Sequence, residues 1–217
     1  MQWHQLNITR GEPTWKSNDG RFAIVWAGRL PTPIGCYRLY DREDKQHIYG
    51  FINVDQAKDL AKAMSVGMVH KVGLVACSSQ KRDIKSMAFM LYTSDLFRKA
   101  RDYCQRRYDQ WFILSAKHGL VKPNTWLKPY DHKLTAAEGS AWAEMVLGQI
   151  KQQFAGRSNV LYYAHAGLLY TSPLLSSIPM IFPMKGLGIG QQLSYYKKAS
   201  HVKAPNATAD TQTSART

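Results

Sequence analysis

Cysteine, acidic residues and long apolar runs are all scarce in this chain. The 217 residues hold three cysteines, Cys36, Cys77 and Cys104. That number fits neither a disulfide framework nor a C-x-x-C zinc site. The seven histidines form no H-E-x-x-H or comparable ligand spacing, so no metal site is expected. No apolar stretch approaches the roughly 18 residues that would span a bilayer, and the N-terminus has no signal-peptide apolar core. A protein of the cytoplasm without membrane contact is the expectation. Phosphate-loop spacing, G-x-x-x-x-G-K-[ST], is also missing, and no cofactor is expected.

Acidic side chains number 15 against 29 basic ones, a net charge of +14 and a pI near 9.7. The surplus is spread along the chain, from Arg10, Lys16 and Arg21 to Lys81, Arg82, Arg98, Arg106 and Arg107. A folded surface therefore carries the positive field. Such a field suits a polyphosphate partner through counterion release, double-stranded DNA being the expected one. Charge that merely keeps the protein soluble is the plainer alternative.

Three regions follow from the pattern. Residues 1–66 read as a small βββα unit, a candidate DNA-binding accessory domain. Its strands are "RFAIVWAG", "GCYRLYD" and "HIYGFI", and its helix "NVDQAKDLAKAM" is capped by Asn53 or Asp55. Trp15, Trp26, Tyr37, Arg38 and Tyr40 either lie on nucleic acid or cover the helix. Residues 67–198 alternate strand and helix. "KVGLVACSS", "QWFILSA", "SNVLYYAHAG" and "PMIFPM" are strands. A helix capped near Thr93 or Ser94, one with Trp142, Met145, Val146 and Ile150 on one face, and "GIGQQLSYYKK" are the main helices. This alternation predicts an α/β class, a parallel-sheet sandwich core. Residues 199–217 are small, polar and aperiodic, and read as a disordered tail.

In an open parallel sheet, ligands bind beyond the carboxyl ends of the strands. Four loops converge there: "CSSQKRD", the stretch "SAKHGLVKPNTWLKPYD", "AHAGLLY" and "MKGLGIGQQ". The last has glycines at 186, 188 and 190 before a helix, where a backbone amide can hold a phosphate. Gly188 and Gln191 are its candidate DNA contacts. Most carboxylates of the core fall on helices, leaving Asp83 and Asp131 on loops after strands. One carboxylate among cations suits N-glycosidic cleavage, where it orients water and offsets an oxocarbenium-like sugar. It suits two-metal phosphodiester cleavage badly, because that chemistry needs several acidic ligands. Asp131 also reads as a turn or cap carboxylate, and His118 as a packed histidine. Lys117 reads as a phosphate clamp, a leaving-group acid or, if desolvated, an amine nucleophile.

The motifs "LVACSSQK", "LYTSDLFRKAR", "FILSAKHGLVKPNTWLKPYDHKL", "AHAGLLY" and "GLGIGQQLSYY" resemble a family of small bacterial and phage domains with CS-x-x-K, ILSA-K-x-GL-x-P and PYD signatures. That family is distantly similar to the YaaA stress-protein group, whose related segment is "SA-x-YGL…PY" and which binds DNA. Members also look like DNA glycosylases and modified-base transglycosylases. Some resemble antiviral glycosylases that excise glucosylated hydroxymethylcytosine from T-even-type phage DNA. The resemblance spans about Lys71 to Lys197 and leaves residues 1–66 outside it. It implies a pocket of Cys77, Ser78, Lys81, Lys117, His118, Tyr130 and Asp131, with Asp131, Lys117 and His118 in catalysis. The function so implied is excision of a modified base to leave an abasic site. Base exchange on DNA or RNA, and non-catalytic DNA binding, are the alternatives.

Overall fold

The computed structural model describes residues 1–6, 14–26 and 37–200. Five strands come first: β1 (Trp3–Leu6), β2 (Thr14–Ser17), β3 (Phe22–Trp26), β4 (Tyr37–Asp41) and β5 (Gln46–Phe51). Helix α1 (Val54–Ser65) follows, started by the Asn53 side chain accepting from the Gln56 amide at 2.9 Å. Then come β6 (His70–Ala76), β7 (Ser86–Met87), α2 (Ala88–Leu91), α3 (Asp95–Arg107), β8 (Gln110–Ser115), β9 (Gly119–Val121) and β10 (Trp126–Leu127). Helix α4 (Gly139–Gln153), β11 (Val160–His165), α5 (Leu168–Thr171), a 3₁₀ turn at Ser172–Leu174, β12 (Met180–Ile181) and α6 (Ile189–Ser200) complete the described chain. Ala199 and Ser200, expected in the tail, close α6. The rest of that tail, and Cys36, lie outside the described residues.

Ten strands form one sheet, in the order β1-β2-β3-β4-β5-β12-β11-β6-β8-β9, and β7 pairs with β10 apart from it. The four strands β12, β11, β6 and β8 run parallel, while the remaining neighbours are antiparallel. The expected parallel sandwich is therefore corrected to a mixed and mostly antiparallel sheet. The reason is connectivity. Short turns join β4 to β5 and β8 to β9, and a short turn can link only antiparallel strands. The βββα reading is likewise corrected, because β1 and β2 precede the three expected strands.

Alternation along the parallel strands sends side chains to two apolar layers. Val72, Leu74, Phe112, Leu114 and Tyr162 meet α4 through Trp142, Val146 and Ile150. Val75 and Ile113 meet α3 and α6 through Phe97, Ala100, Cys104 and Tyr196. Each buried aliphatic chain here contributes about 1.5 to 3 kcal/mol. Helix α1 covers Phe22, Ile24, Leu39 and Ile48, and the same cluster includes Leu161 and Ile181. The N-terminal strands thus share a core with the parallel part. Trp15 and Tyr37 pack on that cluster, ring edge to ring face at 5.9 Å. The antiparallel β3–β4 pair is clamped by fully buried Asp41, which accepts from Arg21 Nε (3.1 Å) and Nη2 (2.9 Å). No helix among the described residues is long and apolar enough to cross a membrane.

Candidate functional site

The parallel strands place their carboxyl ends together, and two adjoining features sit there. The first is a hydroxyl and cation cluster around Tyr130. Ser115, the last residue of β8, is fully buried, and its hydroxyl lies 2.7 Å from the Tyr130 hydroxyl. The Ser115 oxygen also accepts from the His118 amide at 3.0 Å, closing the Lys117-His118 turn. Gly119 follows at φ +68°, a left-handed conformation that glycine adopts without strain. Gln149 of α4 holds the turn from behind: it accepts from the Leu120 amide (2.6 Å) and donates to the His118 carbonyl (3.1 Å). The Trp142 indole donates to the Ser115 carbonyl at 2.9 Å. The β8–β9 turn is therefore pinned from three directions.

Tyr130 is the hub. Its hydroxyl also meets that of Tyr92 at 2.9 Å. His118 stands perpendicular to its ring at 5.1 Å. The ammonium groups of Lys81 and Lys117 lie 4.5 and 5.7 Å from the ring centroid, both within cation–π range. Burial first, and the nearby Cys77 next, push the Tyr130 hydroxyl well above its usual pKa. Burial likewise pushes Tyr92 up to about 12. Both phenols stay protonated at neutral pH and serve as hydrogen-bonding scaffolds. Burial, with a smaller contribution from Lys117, lowers the pKa of His118. His118 is therefore neutral near pH 7, able to accept a proton rather than act as a fixed cation. Cys77 Sγ lies 3.3 Å from the Tyr170 hydroxyl at the margin of this cluster.

The second feature is a cavity of about 650 Å³ beyond β6, β11 and β12. Phe97, Phe182, Met184 and Tyr196 supply apolar walls, and Cys77 and Ser78 face it from the β6 end. His165 closes its floor, 7% exposed, between the hydroxyls of Tyr108 (2.9 Å from Nε2) and Tyr196 (2.8 Å from Nδ1). Desolvation pushes its pKa down to about 3. Folding thus excludes a proton that the unfolded chain takes up below pH ~6.5. Stability is full above that pH and lost as pH falls toward 3, at up to ~1.4 kcal/mol per pH unit. Urea unfolding at about pH 7 and about pH 5 should show this loss, and a folded His165→Gln variant should lose less between the same two points.

Six of the expected site residues (Cys77, Ser78, Lys81, Lys117, His118 and Tyr130) fall on the cavity or the hub. Asp131 follows the hub directly, is exposed, and makes no ion pair or side-chain hydrogen bond with the described residues. Gly188 and Gln191 stand at the start of α6, where the Gly188 amide donates to the Gln191 side chain at 2.9 Å. Their neighbours Gly186, Ile189 and Gln192 line the cavity instead. Ser115 opens the expected SAKHG stretch, whereas sequence reasoning did not single out His165, Phe97 or Tyr196. For His165 the signal was a polar residue closing an otherwise apolar strand, "VLYYAH". The other two look like ordinary core residues.

The fold and site together define a mixed α/β protein with an apolar ligand-sized cavity and a cationic margin at the ends of four parallel strands. Residues 72–198 match a family of unknown function, DUF6884, and the chain belongs to that family. No curated protein and no solved structure matches it.

Proposed function

We propose that the protein is a DNA glycosylase that hydrolyses the N-glycosidic bond of a modified base extruded from the duplex. The observation that carries this reading is the cavity itself, walled by Phe97, Phe182 and Tyr196 and carrying Lys185 on its lining. Its volume lies in the range of small-molecule pockets and leaves room for a base with a bulky substituent. A glucosylated hydroxymethylcytosine of phage DNA is such a base, so a role in antiviral defence within the cytoplasm is part of the proposal. Four parallel strands with helices on both faces are the portion of the fold that supports a glycosylase-like core.

In this mechanism the C1′–N bond breaks and water supplies the new C1′–O bond. The departing base keeps the bonding electron pair and takes up a proton. Asp131 orients the water and offsets the positive charge developing on the sugar. Neutral His118 accepts or relays the water's proton. Lys117 and Lys81 hold the backbone phosphate or the leaving base.

Incubating the full chain with DNAs of different modification states, then weighing released products by mass spectrometry, tests the reading. Free base and abasic sites from at least one modified DNA are expected. Incorporation of an added free base would make the enzyme a base-exchange transglycosylase. Binding without any product, surviving loss of the cavity residues, would leave a non-catalytic DNA-binding protein.

A further inference from the structure

A second cavity, of about 440 Å³, lies between the β4–β5 turn, the start of β6, the last turn of α3 and the segment after β12. Four cations line it, Lys45, Lys71, Arg107 and Lys185, and no carboxylate does. None of the four forms an ion pair among the described residues. The nearest acids, Asp44 and Asp109, stand outside the lining. Asp109 accepts from the Lys71 amide at 2.8 Å and faces His70 at 3.6 Å, and Asp44 sits in the turn beside Lys45.

Two further observations mark this groove as built for an anion. Lys45 has φ +52°, the only left-handed residue other than glycine among those described. That conformation is disfavoured for lysine, so the turn holds a cation where glycine or asparagine would be less strained. The pKa of His47, on the same wall, is lowered by burial first and then by Arg38 and Lys185, while that of Tyr163 is raised by burial first and then by Asp44 and Asp109, so the cations face the His47 side of the groove. Aromatic surface is present as well: Tyr108 and Tyr163 are stacked at 4.5 Å with planes 25° apart.

The two cavities share a wall of Tyr49, Phe182 and Lys185. Lys185 Nζ donates to the Tyr49 hydroxyl at 2.8 Å, and Tyr49 meets Phe182 edge to face at 5.8 Å. We infer that the basic groove is a subsite for the backbone phosphate of a nucleic-acid strand whose neighbouring nucleotide enters the apolar cavity. The polymer as source rests on the nucleic-acid part of the proposed function, and base release is not required for it. A free nucleotide offers the same phosphate beside an aromatic base, so the experiment separates the two sources. The groove is concave, which suits a strand and not a flat lipid surface.

The test is the affinity of the full chain for unmodified DNA, measured by fluorescence anisotropy from ~50 to 300 mM salt. Lys71→Gln with Arg107→Gln should weaken binding by about 10-fold and reduce the log–log salt slope by about one per lost phosphate contact. Lys45→Gly should weaken binding while leaving the thermal midpoint unchanged or raised, because glycine relieves the left-handed turn. Lys151→Gln on α4, an exposed cation on the other face, controls for net charge. Unchanged affinity and slope in the groove variants, or an equal loss in Lys151→Gln, would overturn the subsite. A mononucleotide that binds as tightly as a trinucleotide, with the same variant sensitivity, would overturn the polymer as its source. Base release from modified DNA is scored separately. Its absence beside altered salt slopes removes the enzyme reading alone, whereas base release with unaltered slopes removes the subsite alone.

Discussion

Gly50→Ala is expected to cost about 4 kcal/mol or more, a large share of the roughly 5 to 15 kcal/mol that holds a typical domain folded. Gly50 has φ +97°, and a Cβ there would stand 2.1 Å from the Ile178 carbonyl oxygen and 2.7 Å from that of Leu175. Both obstacles are backbone atoms, so relief requires moving the chain and not rotating a side chain. The position matters because β5 and β12 join the antiparallel and parallel parts of the sheet through the single pair Tyr49–Met180. Pushing Ile178 away also disturbs the apolar layer under α4, to which it belongs. Gly67→Ala is the natural comparison. Gly67 is also left-handed, at φ +69°, but its added Cβ meets nothing within 4 Å. It should cost only the conformational penalty of about 1 to 2 kcal/mol. Urea unfolding followed by circular dichroism compares the two. Equal losses would mean that the close approach of β5 to the Leu175–Ile178 segment is not what Gly50 serves.

The same joint marks where the sequence stops being informative. The parallel strands were legible because strands buried on both faces read as unbroken apolar runs, as in "VGLVA" and "WFILS". The Asn53 and Ser94 caps were legible because capping is local: Ser94 accepts from the Phe97 amide three residues on. β1 "WHQL" and β2 "TWKS" were missed because each is four residues long and mostly polar. β2 takes its strand character from pairing with β3, and β1 from pairing with β2, which a short polar run does not announce. Nothing local reveals that β5 lies beside β12, roughly 130 residues later, apart from a glycine whose need is seen only with Ile178 in place. In α4, Met145 was expected inward, yet it is 38% exposed while the smaller Ala143 is buried. Helical spacing gives a face, and the neighbours decide its edges.

The candidate site was legible in a different way. Convergence of loops at the strand ends followed from topology: Cys77 and Ser78 line the cavity, and Lys81, Lys117 and His118 gather around Tyr130. Tyr130 was expected in the pocket, but not as the point where three hydroxyls meet. Its partners are Ser115 at the end of β8 and Tyr92 just after α2, and nothing local in the sequence joins them. The hub nevertheless fixes the backbone on which Asp131 stands.

Asp131→Asn should reduce base release by about 100-fold or more while sparing DNA affinity and stability. The stability part follows from exposure: a surface carboxylate without an ion pair or side-chain hydrogen bond contributes within about 0.5 kcal/mol. The activity part follows from placement. Tyr130 is held by two hydroxyls and flanked by two ammonium groups, so the next residue, exposed Asp131, stands on a held segment next to two cations. A carboxylate there is the nearest source of negative charge for an oxocarbenium-like sugar, and asparagine keeps its shape without that charge. Lys117→Ala provides the contrast, because removing a cation beside the phosphate should weaken both binding and rate. A borohydride-trapped protein–DNA adduct lost in Lys117→Ala would make that lysine a nucleophile instead of a clamp. Single-turnover base release, measured beside equilibrium binding, separates these outcomes. Wild-type release by folded Asp131→Asn would remove Asp131 from the mechanism. Asp83, the exposed loop carboxylate two residues beyond Lys81, would then be the carboxylate left to supply the charge.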